Sequence, residues 1–141
     1  MDQKSDLVEY LNTFGLDNED IESIKTRNSY FKLTLKEDAE EVFNFLLGSC
    51  KLNKNEIRHI VLNNPLILNE STERLKLLDT MYKELGLKGN DYKKYLVSFD
   101  KAFSLNPKDV YSKVANLAGI GKNRKEIKEM ILKDGYNMFI F

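Results

Sequence analysis

The sequence is poor in the residues on which disulfides, metal sites and nucleophilic catalysis depend. The 141-residue chain contains one cysteine, Cys50, one histidine, His59, and no tryptophan. A single cysteine cannot form an internal disulfide, and a single histidine cannot provide a histidine pair for a metal. The composition therefore predicts no metal site and no cofactor. It also favours a reducing compartment, for which we expect the cytoplasm.

The sequence also shows none of the patterns that are typical of segments directing a chain to a membrane or an organelle. Residues 1–6 contain no basic region that leads into an apolar run, so neither a signal peptide nor a transit peptide is expected. No stretch approaches the roughly 18 consecutive apolar residues of a membrane span, so we expect no membrane association. Prolines number two and glycines seven, which leaves most of the chain free to form helices.

The charge is balanced in total but unevenly distributed. The chain has 22 basic and 22 acidic residues, yet residues 1–48 carry five basic and eleven acidic ones. Residues 49–141 carry 17 basic and 11 acidic residues. The acidic excess in residues 1–48 and the basic excess in residues 49–141 predict two surfaces with different partners.

Apolar residues recur with the spacing of a helix face, and the pattern itself repeats about every 35 residues. In the first helix of each copy the aligned columns are Leu7/Phe43/Leu78, Tyr10/Leu46/Met81, Leu11/Leu47/Tyr82 and Phe14/Cys50/Leu85. A degenerate copy covers residues 113–121. In the second helix the columns are Ile21/Ile57/Tyr92/Ile127 and Ile24/Ile60/Tyr95/Met130. The columns predict that Cys50, Ile57, Ile60, Leu85 and Tyr92 are buried.

Local signals mark where these helices begin and end. Gly15 and Gly86 stand where a first helix ends in a left-handed residue. N-cap residues open the second helices, namely Asp17, Asn53, Asn90 and Asn123, and Asn53 and Asn123 each have a glutamate three residues later. The predicted helices are 5–14, 18–27, 36–49, 54–63, 72–85, 90–98, 107–118 and 123–133. A short apolar link follows each pair, and residues 136–141 are predicted to pack on the last pair as its link.

These features predict an all-α helical-repeat solenoid of about 3.5 two-helix units. A unit of this size cannot bury its apolar face alone, but stacked neighbours bury a continuous core. The chain is therefore expected to form a single domain over residues 1–141, with units near 5–42, 43–77, 78–112 and 113–141.

One stretch of the repeat has the landmarks of a known family. Residues 52–68 contain Asn64-Pro65 after a helix, and residues 73–87 end in Leu85-Gly86-Leu87. In this stretch the chain resembles the repeat of the mitochondrial transcription termination factor (mTERF) family, although Ser29 and Asp100 replace the proline in other copies. The resemblance implies a superhelical solenoid, and many members of that family bind nucleic acid on a concave basic face.

Catalytic patterns are weak. Gly119-Ile120-Gly121 has no strand before it and no third glycine at the spacing of a phosphate-binding loop. Cys50 falls in an apolar column, and His59 lies beside Arg58 on an amphipathic helix, so we expect a core cysteine and a surface histidine. The sequence therefore predicts no catalytic residues and a protein that is not an enzyme.

Basic residues recur at one position of the repeat. Arg58, Lys93 and Lys128 each follow a core residue of a second helix, while Glu22 breaks the series. We call these three residues the basic row. Its predicted margins are Lys54, Lys94, Arg124 and Lys125. A periodic row of cations can follow the phosphate backbone of DNA or RNA, although solvated helix positions in a lysine-rich chain would give the same pattern.

Two functions remain open from the sequence. The first is a nucleic-acid-binding module that contacts phosphates through the basic row. The second is a protein-binding helical adaptor, or a small inhibitor or immunity-type protein, that uses the acidic N-terminal repeat.

Overall fold

The computed structural model describes residues 3–99 and 101–135, and in these ranges it contains eight α-helices and no strand. The helices are α1 Gln3–Asn12, α2 Asn18–Arg27, α3 Lys36–Gly48, α4 Lys54–Asn63, α5 Thr72–Glu84, α6 Gly89–Ser98, α7 Pro107–Gly119 and α8 Arg124–Asp134. Short 3₁₀ turns follow three of the pairs, at Phe31–Leu33, Pro65–Asn69 and Ala102–Ser104. The all-α helical repeat is confirmed. Residues 136–141, the predicted last link, lie outside the described residues.

The chain divides into two compact units, Met1–Thr72 and Glu73–Phe141. The first unit holds the helix pairs α1–α2 and α3–α4, and the second holds α5–α6 and α7–α8. The predicted copy boundaries at 43, 78 and 113 fall inside α3, α5 and α7, because apolar columns rather than helix starts defined them. Copies counted from their first helices begin at residues 36, 72 and 107. A single domain over the whole chain stays a prediction.

Reciprocal caps start three of the second helices. At α4, Asn53 Oδ1 accepts the Glu56 N–H at 2.8 Å, and Glu56 Oε1 accepts the Asn53 N–H at 2.9 Å. The same arrangement opens α2 and α8. The prediction of Asn90 as the N-cap of α6 is wrong. That helix begins at Gly89 with Lys88 as its N-cap residue, which places Asn90 in its first turn.

The predicted core residues are buried. Cys50, Ile57, Ile60, Leu85 and Tyr92 are all at most 8% exposed. These positions lie on the inward stripes of the helices and in the loops that close the first helices, so the periodicity alone located them. Pro65 starts the 3₁₀ turn after α4, as expected for a residue that disfavours helix before it.

The predicted columns of α3 are misaligned by one residue. Leu47 is 38% exposed, whereas Leu46 is fully buried, so Leu46 is the true equivalent of Leu11 and Tyr82. Three first helices end with a backbone hydrogen bond that reaches back five residues, joining Leu16 to Leu11, Leu87 to Tyr82 and Lys122 to Leu117. In the second copy the Leu52 N–H instead reaches back six residues to the Leu46 carbonyl. This copy therefore holds one extra residue at the helix end.

Left-handed backbone closes the first helix of every copy. Gly15, Gly86 and Gly121 have φ values of 81°, 94° and 96°, and Lys51 occupies the equivalent place with a φ of 55°. A Cβ atom disfavours this conformation by roughly 1–2 kcal/mol, so glycine suits it and lysine does not.

Replacing Lys51 by glycine is therefore expected to raise the free energy of unfolding by up to about 1 kcal/mol. Urea unfolding followed by far-UV circular dichroism measures the change. The matched control is Gly86→Ala, which is expected to lower stability by at least about 1 kcal/mol because it introduces the same strain. A destabilised Lys51→Gly variant would contradict the assignment.

Each unit has an aromatic cluster in its core. In the first unit the rings of Tyr10, Phe14 and Phe43 lie 4.5–5.6 Å apart between centroids. In the second, Tyr82 packs against Tyr95 at 5.1 Å and Phe103 at 6.1 Å. Burial raises the pKa of Tyr82 and of Tyr95 well above that of a free tyrosine, because the phenolate would lie in an apolar core. Both phenols are therefore neutral at neutral pH.

Candidate nucleic-acid interface

The three residues of the basic row occupy the same place on three second helices. Arg58, Lys93 and Lys128 are each the fifth residue of their helix, on α4, α6 and α8. Each follows a buried core residue, and each side chain is half-buried rather than fully exposed. The equivalent position on α2 is Glu22, which is exposed and pairs with Lys25 at 3.2 Å.

Arg58 contacts the copy that precedes its own. Its Nε donates to the Gly15 carbonyl at 3.1 Å, and a terminal nitrogen lies 3.0 Å from Asp20 Oδ2. The methylenes of Arg58 cover Gly15, since a Cβ there would stand 3.5 Å from Arg58 Cδ. Asp20 is the third residue of α2 and already takes part in its cap. Arg58 therefore joins α4 to the loop between α1 and α2 and to the first turn of α2.

Lys128 repeats this arrangement in the second unit. Its Nζ lies 3.4 Å from Asp91 Oδ2, and a Cβ at Gly86 would stand 3.4 Å from Lys128 Cδ. Asp91 is the third residue of α6, as Asp20 is of α2. Two cations of the basic row are therefore partly neutralised by carboxylates of the preceding copy. We call each such contact a back-clamp.

The sequence analysis missed the acidic partners of the back-clamps, although a signal for them exists. Each second helix carries a carboxylate as its third residue, in the column Asp20/Glu56/Asp91/Glu126. This column has the same spacing as the basic row and stands two residues before it. The sequence indicates a capping role for Glu56 and Glu126 only, and it does not reveal the contact that joins Asp20 to Arg58 across 38 residues.

Removing the Arg58 side chain with Arg58→Ala is expected to lower the free energy of unfolding by about 1 kcal/mol. The loss includes the hydrogen bond to Gly15 and the ion pair with Asp20. The Arg58 side chain is 39% exposed, so solvent screens the ion pair and reduces its contribution. Urea unfolding measures the change in the free energy of unfolding. Lys125→Ala is the control, because Lys125 is exposed, and its effect is expected to stay within about 0.5 kcal/mol. Equal stabilities of the two variants would contradict the back-clamp.

The margin residues are more accessible than the row. Lys54, Lys94, Arg124 and Lys125 are all exposed. Lys54 donates to the Thr13 carbonyl at 3.1 Å and lies 5.4 Å from the centre of the Phe14 ring. Lys94, Arg124 and Lys125 form no ion pair with any of the described residues. These three residues lie in the second unit, which contains fourteen basic and nine acidic residues.

The first unit has the opposite charge balance, with eight basic and thirteen acidic residues. Several of its carboxylates have structural roles. Asp20 and Asp38 cap helices, and Glu40 lies 3.4 Å from Lys36 on the next turn. The acidic excess is therefore partly used within the unit and partly open to solvent.

The part of the chain that the structure describes has few features that suit metal binding or membrane insertion. It holds no group of three or more histidine, cysteine, aspartate or glutamate residues that could bind a metal. None of its helices is long and apolar enough to cross a membrane. Cys50 is buried, and His59 is exposed with its ring 3.4 Å from the Asn63 amide.

Comparison with known proteins agrees with the repeat architecture. No curated protein matches the chain. The family model for mTERF matches residues 1–136. This match includes both units and all eight helices of the described structure, together with the Asn64-Pro65 and Leu85-Gly86-Leu87 landmarks. The chain therefore belongs to the mTERF family, a family of helical-repeat proteins that bind nucleic acids.

Proposed function

We propose that the chain is a non-enzymatic module that binds DNA or RNA through phosphate contacts. The observation that carries the proposal is the family match over residues 1–136. The basic excess of the second unit supports it, because cations that neutralise phosphates release counterions and so favour binding without base recognition. The basic row and its margins are the candidate contacts.

The candidate residues contribute unequally to this proposal. Lys94, Arg124 and Lys125 are exposed and offer full charges to phosphate. Lys93 is half-buried, and Lys54 is exposed but held to Thr13. Arg58 and Lys128 already form back-clamps, so their main contribution is to hold the copies together. Phosphate binding is therefore expected to weaken most when the margin residues of the second unit, Lys94, Arg124 and Lys125, are replaced.

The test is the salt dependence of binding to mixed-sequence DNA and RNA, followed by fluorescence anisotropy. The slope of log K against log salt is expected near −0.9 per phosphate on duplex DNA and near −0.7 on single strands. Replacing Lys94, Arg124 and Lys125 by alanine is expected to flatten the slope by up to about three units. The matched control replaces Lys32, Lys76 and Lys133 by alanine. These lysines are also exposed, so the control variant loses the same amount of positive charge.

A second triple variant separates binding from stability. Alanine at Arg58, Lys93 and Lys128 is expected to flatten the slope as well, but also to lower stability through the lost back-clamps. No binding by the unaltered chain near ~50 mM salt, or equal slopes for the margin and control variants, would reject phosphate binding at this site. The protein-binding adaptor would then be the better hypothesis.

We also propose the cytoplasm as the compartment. The support is the cysteine content, since the one cysteine is buried and cannot form an internal disulfide. Fractionation of cells that express a tagged chain tests this. Recovery in a secreted or organellar fraction would contradict it.

A further inference from the structure

The second unit contains an open apolar groove between its two first helices, α5 and α7. Two cavities of about 330 and 430 Å³ share the side chains of Met81 on α5 and Tyr111 on α7. We call this the α5–α7 groove, and its main apolar residues are Leu77, Met81, Leu85, Tyr111, Val114 and Ile127. Each volume is in the range of sites that bind ligands or anchor side chains.

The equivalent seam of the first unit is closed. There α1 and α3 pack directly against each other, and the rings of Tyr10, Phe14 and Phe43 fill the space between them. The equivalent positions in the second unit are Met81 on α5, Leu85 after α5 and Val114 on α7. The aromatic rings that close the first seam are therefore replaced by smaller side chains in the second, which leaves the space unfilled.

The groove exposes apolar surface to water. Of its lining residues, Tyr111 is 69% exposed and Leu77 is 50% exposed. Contiguous apolar surface of this kind marks interaction sites on soluble proteins, whereas isolated exposed residues do not. An occupant of the groove would remove this surface from water.

The charges around the groove are mainly positive. Lys108, Lys122 and Arg124 line it, against the single carboxylate of Glu84. Lys122 is only loosely paired, with its Nζ 3.8 Å from Glu126. A partner that places apolar side chains in the groove would therefore gain from carboxylates beside them.

We propose that the α5–α7 groove docks an amphipathic helix of a partner protein, with its apolar face in the groove and acidic residues at the rim. The thirteen-residue helices α5 and α7 are roughly 20 Å long. A docked helix that uses anchors at i, i+4 and i+7 needs roughly half that length. This surface is separate in kind from phosphate binding, because its centre is apolar and its partner is a protein.

The test uses two labelled helical peptides of about 15 residues with leucines at i, i+4 and i+7. One peptide carries glutamates beside the leucines, and the other carries lysines at the same places. Fluorescence anisotropy with the full chain is expected to show about tenfold tighter binding of the glutamate peptide. Exchanging the rim charges with Lys108→Glu and Lys122→Glu is expected to reverse the preference. Arg124 stays unchanged, because it is also a candidate phosphate contact.

A single substitution tests the apolar anchor. Tyr111→Ala is expected to weaken binding of the glutamate peptide about tenfold while circular dichroism and the melting temperature stay unchanged, since the side chain is mostly exposed. The matched control is Tyr30→Ala, at a tyrosine that is 58% exposed in the first unit, and it is expected to leave binding unchanged.

Several results would overturn the proposal. They are binding of neither peptide, equal affinities for both, and equal losses from Tyr111→Ala and Tyr30→Ala. Self-association of the free chain that Tyr111→Ala abolishes, seen by sedimentation, would assign the groove to a second copy instead. Nucleic-acid binding is measured separately, so its failure and the failure of peptide docking are distinguishable.

Discussion

Replacing Tyr82 by alanine is expected to destabilise the protein by about 3–5 kcal/mol, because it removes a large ring from a packed core. Tyr82 is fully buried and packs against three other rings of the second unit. Its hydroxyl also donates to the Ala102 carbonyl at 2.5 Å, in the 3₁₀ turn after α6. The truncated side chain would leave a cavity and an acceptor without its donor.

Urea unfolding followed by circular dichroism measures this loss, and two controls divide it. Tyr82→Phe keeps the ring and removes the hydroxyl, so it is expected to cost about 1–3 kcal/mol. Tyr111→Ala removes an exposed ring of the same unit and is expected to change stability by about 0.5 kcal/mol or less. A cost below about 1 kcal/mol for Tyr82→Ala would show that the cluster does not organise this core.

Ile57→Ala is the corresponding test in the first unit, with an expected cost of about 2–5 kcal/mol. Ile57 is fully buried on α4, whose inward stripe also includes Ile60. The substitution removes buried apolar atoms and leaves a cavity that neighbouring residues fill only in part. The measurement is again urea unfolding, with the slope of the transition checked for a change in two-state behaviour.

The control for this substitution is Ile120→Ala, which deletes the same atoms from a side chain that is 74% exposed. It is expected to change stability by about 0.5 kcal/mol or less, because little apolar area is involved. Similar costs for the two isoleucine variants would contradict the predicted core of the first unit.

Local signals made the helices predictable from the sequence. Apolar spacing defined their inward stripes, and caps such as Asn53 with Glu56 fixed where they begin. Every observed helix boundary lies within two residues of its prediction. The failures are also local. The extra residue before Leu52 shifts α3 by one position, and a gap-free alignment conceals it. The start of α6 lies one residue before its prediction, because Lys88 and not Asn90 holds the N-cap position.

The candidate site was less predictable because its details depend on tertiary contacts. The period of the repeat places Arg58 and Lys128 at equivalent positions, but it does not reveal that carboxylates of the preceding copy hold them. The α5–α7 groove likewise results from a difference between the units, namely Met81, Leu85 and Val114 where aromatic rings stand in the first unit. A periodic pattern describes what copies share, so differences of this kind become visible only in three dimensions.

Because of the back-clamps, the order of the copies matters when the repeat is lengthened by adding copies. In both units the fifth residue of a second helix points its charge toward an acid of the copy before it. A duplicate of the α3–α4 copy would keep this pairing, since it brings both Arg58 and the acidic Glu56. A duplicate of the α1–α2 copy placed downstream would bring Glu22 toward a carboxylate, and the like charges would repel. The copies are therefore not interchangeable, and extension is expected to succeed with modules that carry a cation at this position.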